Sequence, residues 1–178
     1  HPSPIQEKAI PAIFTGKDVI ACAQTGTGKT AAFSLPLIER IAQLKQRWRK
    51  TNVLVLSPTR ELANQTAENI KKYSKYLPVR CTAVYGGVKM DTQARIIKKG
   101  VQIVVATPGR LIDHIRNQSI DLSSVDTFVL DEADRMLDMG FARELHKIIA
   151  MLPRHGRQNL FFSATFSKHI QILMKEIL

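Results

Sequence analysis

The sequence is poor in cysteine and has no long apolar run. Only two cysteines occur in 178 residues and no Cys-x-x-Cys pair is present, which argues against a zinc site and a disulfide framework. Cys22 and Cys81 both lie in apolar runs, so we expect buried, reduced thiols in a cytoplasmic protein. No apolar stretch approaches the ~20 residues of a membrane span and no signal peptide opens the chain, so we expect no membrane partner.

Acidic residues are scarce relative to basic ones. The chain has 26 Lys and Arg against 15 Asp and Glu, a formal net charge of +11. This surplus favours a polyanionic partner, nucleic acid ahead of an acidic membrane surface, with a basic surface that has no partner as the alternative. The cationic stretch 45–50 around the single Trp is interpreted as a solvated helix end rather than a nucleic-acid contact.

Short aliphatic runs alternate with helical patterns along the whole chain. The runs predict strands at residues 18–22, 52–56, 79–85, 101–106, 125–130 and 158–162, with helices between them and after the last. The alternation predicts one doubly wound α/β domain with a mostly parallel sheet and helices on both faces. Ligands of such folds bind at the carboxyl ends of the strands, where all the distinctive short motifs lie, so we expect these motifs to converge on one rim of the sheet.

The segment after the first predicted strand has the pattern of a phosphate-binding loop. Its residues are Ala23, Gln24, Thr25, Gly26, Thr27, Gly28, Lys29 and Thr30. Glycines let the backbone wrap an anion closely, and the N–H groups of a helix start point toward it. Lys29 would reach the β- and γ-phosphates, and the Thr30 hydroxyl would bind Mg²⁺. Ala23 stands where the usual pattern has glycine.

Two carboxylates follow the fifth predicted strand. Asp131 has the chemistry of a Mg²⁺ ligand, and Glu132 is placed to orient the attacking water or accept its proton. Taken alone, this pair is better explained as the N-cap and first turn of a helix. Together with the upstream Gly28-Lys29-Thr30, it predicts a Mg²⁺–nucleotide site with Lys29, Asp131 and Glu132 as catalytic residues.

Residues 131–134 spell D-E-A-D, and with this motif the chain resembles the first RecA-like domain of a DEAD-box RNA helicase. The resemblance covers essentially all 178 residues. It rests on an ordered set of motifs, namely A-Q-T-G-T-G-K-T at 23–30, P-T-R-E-L-A at 58–63, Gly86-Gly87, T-P-G-R at 107–110, D-E-A-D, and S-A-T at 163–165. The sequence of residues 160–167 is faintly similar to that of the bacterial RhlE-like subgroup.

The resemblance implies roles for residues that would otherwise be helix caps and turns. Gln6 resembles the glutamine that reads the adenine edge of ATP, and Ser163 and Thr165 resemble the motif that couples hydrolysis to strand separation by hydrogen bonding toward Asp134. The residues that resemble RNA backbone contacts are Pro58, Thr59, Arg60, Glu61, Gly86, Gly87, Thr107, Pro108, Gly109 and Arg110. Such contacts imply little sequence preference.

The resemblance also implies parts that lie outside this sequence. The family's adenine-side aromatic would precede Gln6, and a second RecA-like domain would supply arginine fingers, worth on the order of 10³-fold or more in phosphoryl transfer. We therefore expect the 178 residues to form a monomer that binds ATP weakly, hydrolyses little and unwinds nothing. A non-catalytic, nucleotide-regulated RNA- or protein-binding module, a small-molecule kinase and a DNA helicase relative are the alternatives.

Overall fold

The centre of the molecule is a six-stranded sheet. The structure is a computed structural model that describes residues 1–44 and 50–178. The strands are β1 (Val19–Cys22), β2 (Val53–Leu56), β3 (Cys81–Val84), β4 (Ile103–Ala106), β5 (Thr127–Leu130) and β6 (Gln158–Ser163). They lie in the order β1-β6-β5-β2-β4-β3, and all five neighbouring pairs are parallel.

Helices cover both faces of this sheet. On one face lie α1 (Pro4–Phe14), α2 (Lys29–Gln43) and α3 (Arg60–Tyr73). On the other lie α4 (Met90–Lys99), α5 (Pro108–Arg116), α6 (Ala133–Asp138), α7 (Ala142–Met151) and α8 (Lys168–Ile177). Each face has its own hydrophobic core, and the predicted doubly wound α/β fold is confirmed.

The central strands are aliphatic throughout because both of their faces are buried. Every residue of β2, β4 and β5 is buried. Side chains alternate along β2, so Leu54 and Leu56 enter one core while Val53 and Val55 enter the other. The strands therefore hold the carboxyl rim of the sheet rigidly in place.

Side-chain caps fix where several helices begin. At α1 the Ser3 Oγ accepts a hydrogen bond from the Gln6 N–H at 3.4 Å, and the Gln6 Oε1 accepts one from the Ser3 N–H at 3.0 Å. At α3 the Thr59 Oγ1 accepts from the Leu62 N–H at 3.2 Å. Each such cap contributes about 1 kcal/mol, so these positions are well determined.

The strand β1 differs from the expectation of a buried strand. It lies at the edge of the sheet, where α1 and α2 cover only one of its faces; Ala21 is buried, whereas Ile20 and Cys22 are exposed. The prediction of two buried thiols is therefore wrong for Cys22 and correct for Cys81. Burial raises the pKa of the Cys81 thiol to about 12, so it stays protonated.

Element boundaries show smaller differences. The strands β3, β4 and β5 each begin two residues later than their aliphatic runs, and α6 occupies a segment where no helix was predicted. Most of the cationic stretch at 45–50 lies outside the described residues. Within the described residues, no helix is both long and apolar enough to span a bilayer.

Candidate functional site

The six sequence motifs lie on one rim of the sheet and fall into two halves. The β1-β6-β5 half carries the glycine loop, S-A-T and D-E-A-D at the ends of its strands. The β2-β4-β3 half carries P-T-R-E-L-A, T-P-G-R and Gly86-Gly87. The motifs converge on one rim, as expected. The motifs that the resemblance relates to nucleotide binding and coupling follow β1, β6 and β5, and those that it relates to RNA follow β2, β4 and β3.

The glycine loop needs two of its glycines for conformational reasons. Gly26 and Gly28 have φ of 86° and 82°, which side chains with a Cβ rarely adopt. A Cβ on Gly28 would also lie 2.6 Å from the Gln6 Nε2. Ala23 has no such constraint, since it is only 5% exposed, its methyl packs in the core, and its N–H donates to the Ser163 carbonyl at 3.1 Å. Alanine therefore fits the opening position of this loop.

The Gln6 side chain connects α1 to this loop. Its Nε2 donates to the Gly28 carbonyl at 3.1 Å, while its Oε1 accepts from the Ser3 N–H. Gln6 thus both caps its own helix and holds the residue at which α2 begins. Its expected contact with an adenine stays a prediction.

Three buried charges lie behind the loop. The Lys29 Nζ is 3.0 Å from the Asp131 Oδ1 and 3.4 Å from the Glu132 Oε2, and Lys29 and Asp131 are only 5% and 2% exposed. None of these three atoms has a well-oriented hydrogen bond within the described residues. Burial raises the pKa of Asp131, and the Lys29 ammonium opposes that rise. The Arg135 guanidinium also lies 3.8 Å from the Glu132 Oε1, so Glu132 has two cationic neighbours whereas Asp131 pairs with Lys29. The Lys29 ammonium can still donate hydrogen bonds to a ligand.

The backbone at Glu132 is strained. Its φ and ψ of 55° and 52° are left-handed, which costs a non-glycine residue roughly 1–2 kcal/mol. This residue is the turn between β5 and α6, and the conformation allows Ala133 to begin the helix while the carboxylate lies beside Lys29. Strain at this position is consistent with a functional requirement for the carboxylate.

A cavity of about 370 Å³ lies next to the loop and the carboxylates. Its lining residues are Gln6, Thr25, Gly26, Gly28, Lys29, Thr30, Ala31, Leu62, Gln65, Thr66, Asn69, Tyr73, Asp131 and Glu132. The five from α3 were not predicted as site residues. Gln65, Asn69 and Tyr73 recur every four residues and so share a helix face, but this spacing alone does not distinguish a cavity wall from a solvated face.

The donor set fits a magnesium ion that also binds phosphate. Thr30 and Asp131 both line the cavity and supply oxygen, which Mg²⁺ prefers. Among the described residues, no group of three or more His, Cys, Asp or Glu side chains could hold a metal by itself. This suits Mg²⁺, which typically takes one or two carboxylates and completes its shell with phosphate oxygens and water.

The S-A-T segment contacts D-E-A-D. The Thr165 Oγ1 donates to the Asp134 Oδ2 at 3.1 Å, which is the hydrogen bond expected from the resemblance. The Ser163 Oγ donates instead to the Thr165 carbonyl at 2.8 Å, so the expectation of a hydrogen bond toward Asp134 is correct for Thr165 and wrong for Ser163. A change in the backbone after β5 would therefore reach the end of β6 directly, whereas a coupling role for these residues stays a prediction.

The β2-β4-β3 half presents exposed backbone and one exposed cation. Gly86, Gly87, Gly109 and Arg60 are exposed, while Pro58 and Pro108 are buried and serve the starts of α3 and α5. The Arg60 guanidinium lies 5.0 Å from the centre of the Tyr85 ring, and its Nη1 would be 2.7 Å from a Cβ on Gly87. These groups suit the oxygens of an extended polyanion.

Beneath this exposed backbone lies a hydrogen-bond network centred on Gln93 that was not predicted from the sequence. The Gln93 Nε2 donates to the Tyr85 carbonyl at 2.8 Å, while the Gln93 Oε1 is 2.9 Å from the His114 Nε2 and accepts from the Arg110 Nη1 at 3.1 Å. Burial and the neighbouring Arg110 lower the pKa of His114. The only signal in the sequence is a glutamine four residues before the core residue Ile97 of an amphipathic helix.

Comparison with known protein families shows what kind of domain carries this rim. The model of the DEAD/DEAH box helicase family matches residues 3–173. The chain belongs to the DEAD/DEAH box helicase family. Both halves of the rim are within the match, so the ordered motifs of this DEAD-box domain are one family signature rather than coincidental loops.

Similar proteins come from bacteria and from a yeast. The DEAD-box chain is 47% identical to the ATP-dependent RNA helicase DeaD of Escherichia coli K12 over 99% of its own length, 48% identical to the DEAD-box ATP-dependent RNA helicase RhpA of Helicobacter pylori over 99%, and 46% identical to the ATP-dependent RNA helicase DBP3 of Lodderomyces elongisporus over 97%. It spans 28%, 35% and 32% of these proteins, respectively.

A solved structure shares the fold. The crystal structure of a hypothetical ATP-dependent RNA helicase from Sulfolobus tokodaii superposes with a TM-score of 0.89 at 36% identity, covering 100% of the DEAD-box chain and 50% of that protein's chain. The RecA-like fold is thereby confirmed. The narrower likeness to the RhlE-like subgroup stays a prediction.

Proposed function

We propose that this DEAD-box domain binds Mg²⁺–ATP in the 370 Å³ cavity and couples ATP hydrolysis to RNA binding and local duplex unwinding. The observation that carries the proposal is the buried Lys29, which lies between two carboxylates directly behind the glycine loop. A lysine so placed can exchange carboxylate partners for phosphate oxygens without leaving its site. The similarity to named ATP-dependent RNA helicases supports the same function.

Each buried charge would have a separate task at the nucleotide. The Lys29 ammonium would pair with the β- and γ-phosphates, while Thr30 and Asp131 would hold the metal. Mg²⁺, when bound, neutralises charge on the phosphate oxygens. Glu132 would orient the attacking water and accept its proton, and its strained backbone fixes its carboxylate for that task. Gln6 would read the adenine edge while it holds Gly28.

RNA would bind along the other half of the rim. The exposed Arg60 and the N–H groups near Gly86, Gly87 and Gly109 suit phosphate oxygens and carry no base preference, and the net charge of +11 favours the same partner. The Asp134–Thr165 hydrogen bond would transmit the state of the nucleotide site to the end of β6.

A second RecA-like domain of the same polypeptide would complete the transition state. The chain spans about a third of the curated relatives it matches, so their remaining length has room for such a domain. Arginine fingers from that domain would supply on the order of 10³-fold in rate. We therefore propose that these residues alone form a monomer with weak nucleotide affinity and little turnover. We also propose that the whole protein acts in the cytoplasm.

Substitution of Glu132 by Gln in the full-length protein tests this function. ATP affinity should be retained, while RNA-stimulated turnover should fall by about 10²-fold or more, because the side chain keeps its shape and loses its base. Asp138→Asn is the matched control, since that exposed carboxylate on α6 lies outside the cavity.

Titration of ATP with and without Mg²⁺ separates the enzyme from a non-catalytic module. Mg²⁺-dependent binding to the wild-type protein is the expected result. A wild-type protein that retains RNA and binds no nucleotide would favour the module, and full activity of Glu132→Gln would contradict the role of that carboxylate.

A further inference from the structure

Gln93 is a buried polar residue outside every motif of the family signature. It lies on the inward face of α4 and is only 4% exposed. A buried primary amide is costly unless both its donor and its acceptor find partners. Here both ends of the amide are used, and the partners belong to different segments of the β2-β4-β3 half.

The contacts of Gln93 join three parts of the proposed RNA surface. Its Nε2 holds the Tyr85 carbonyl at 2.8 Å, immediately before Gly86-Gly87. Its Oε1 accepts from the Arg110 Nη1 at 3.1 Å, in T-P-G-R, and lies 2.9 Å from the buried His114 on α5. One amide therefore fixes the distance between the turn after β3 and the start of α5.

The Arg110 guanidinium is held by contacts within the protein. The same Nη1 also donates to the Val88 carbonyl at 2.6 Å, the Nε lies 3.6 Å from the Asp113 Oδ2, and the side chain is only 15% exposed. Arg60, in contrast, is exposed and lies over the Tyr85 ring. The arginines of the two motifs thus differ: Arg60 is available to a phosphate, whereas Arg110 joins the loops to each other.

We infer that Gln93 is a positioning residue for RNA binding, which acts through Arg110 and His114 to hold Gly86-Gly87 and T-P-G-R in one arrangement. The inference rests on the proposed RNA-binding function of this half. Phosphates along a strand have a fixed spacing, so two backbone sites bind together only while their separation is held. Arg110 in this arrangement sets the geometry and does not itself neutralise a phosphate.

Gln93→Leu in the full-length protein tests this role, with Gln102→Leu as its matched control. Gln102 is also a 4% exposed glutamine, and its Oε1 accepts from the Arg80 N–H at 2.8 Å near the opposite end of the strands. Binding to single-stranded poly(U) should weaken about tenfold in Gln93→Leu and stay unchanged in Gln102→Leu, with ATP affinity unchanged in both. Gln93→Glu keeps the acceptor for Arg110 and should restore part of the affinity.

The salt dependence of RNA affinity separates positioning from direct phosphate contact. Arg110→Met and Gln93→Leu should both lower the affinity and leave the slope of log K against log salt unchanged, and the double variant should be no weaker than the worse single one. Arg60→Met should reduce the steepness of that slope by about 0.7, as expected for one lost phosphate contact on a single strand.

Several results would overturn the inference. Equal RNA affinity of Gln93→Leu and Gln102→Leu would show that Gln93 is only a core residue, and additive losses in the double variant would show that it does not act through Arg110. If Gln93→Leu does not fold, Gln93→Glu and Arg110→Met decide by the same criteria. A wild-type protein that binds ATP but not poly(U) would instead contradict the proposed RNA binding, and this inference with it.

Discussion

The two halves of the rim differ in the kind of polar groups that they bury. The β1-β6-β5 half buries a lysine between two carboxylates with none of the three atoms in a well-oriented hydrogen bond. In the β2-β4-β3 half one amide binds a carbonyl, a guanidinium and an imidazole together, while the Arg110 Nε and the His114 Nδ1 stay buried without a hydrogen bond among the described residues. The first half has bonding capacity left for a ligand, whereas the Gln93 amide has its donor and its acceptor already engaged.

This difference indicates what each half contributes. Buried charges of opposite sign respond strongly to a new ion, because their mutual attraction is only weakly screened. The Gln93 amide carries no net charge and has both its donor and its acceptor engaged, so it holds its neighbours in place. The half proposed to bind nucleotide is therefore suited to change on binding, and the half proposed to bind RNA to keep a fixed geometry.

Lys29→Met should give the largest effect, because it removes the buried cation that distinguishes the β1-β6-β5 half. The loss of the cation leaves the buried Asp131 without a partner and Glu132 with only the Arg135 guanidinium at 3.8 Å, so we expect Mg²⁺–ATP affinity to fall at least about 100-fold and stability to fall by about 3 kcal/mol. Calorimetric titration and urea unfolding measure the two. Lys71→Met on the surface of α3 is the control, since its pair with Glu68 is exposed and worth little. Unchanged nucleotide affinity would refute the role of the buried charge.

Alanine at Gly28 and at Gly87 compares how well the backbone of each half tolerates a side chain. Gly28 and Gly87 have φ of 82° and 88°, so alanine at either costs roughly 1 kcal/mol or more in unfolding free energy. At Gly28 the new Cβ also meets the amide of Gln6, which is fixed by two hydrogen bonds, whereas at Gly87 it meets the end of a flexible arginine. We expect Gly28→Ala to lose about 1 kcal/mol more than Gly87→Ala in urea unfolding. Equal losses would mean that Gln6 yields as readily as Arg60.

The pH dependence of stability should have opposite signs in the two halves. Burial raises the pKa of Asp131 above its ordinary 3.8, so its contribution to stability is present below that pH and is lost as pH rises through the folded-state value. His114 has a pKa lowered from 6.5, so its contribution is present above 6.5 and is lost as pH falls.

Substitution of each group should remove its part of this profile. His114→Gln should flatten the loss of stability below pH 6.5, by less than about 1.4 kcal/mol per pH unit, the limit for one proton. Asp131→Asn should flatten the change that begins near pH 3.8 and continues as pH rises through the raised folded-state pKa of Asp131. Urea unfolding at a series of pH values measures both, and a profile of Asp131→Asn identical to the wild type would show that burial does not perturb this carboxyl.

Thr165→Val should give the smallest effect. It removes one exposed hydrogen bond to Asp134, worth about 0.5–1 kcal/mol, and keeps the shape of the side chain. ATP affinity should not change, whereas RNA stimulation of turnover in the full-length protein should fall several-fold if this bond couples the nucleotide site to RNA binding. Thr15→Val, whose hydroxyl makes an exposed hydrogen bond to the Ala12 carbonyl outside the site, is a control for the loss of a hydroxyl. RNA stimulation equal to that of the wild type would leave the Asp134–Thr165 bond with a local role only.

Local sequence was sufficient for the fold and for the motifs but not for what surrounds them. Aliphatic runs such as 53–56 predicted buried strands because both faces of those strands are covered, and the same rule was wrong at Cys22 because a sheet edge is not visible in the sequence. Likewise, α6 was missed because a left-handed Glu132 lets a helix follow the strand at once. Gln93 and the cavity face of α3 depend on long-range contacts that no spacing rule encodes.

The exposed thiol of Cys22 makes this domain a ready optical reporter. It lies one residue before the glycine loop, and its Sγ is 3.5 Å from the Ala164 carbonyl within S-A-T. The second and last thiol of the sequence, Cys81, is buried with a pKa of about 12 and will not compete for a maleimide dye. A fluorophore attached to this chain would therefore label one position, between the glycine loop and S-A-T, and would report a change in either.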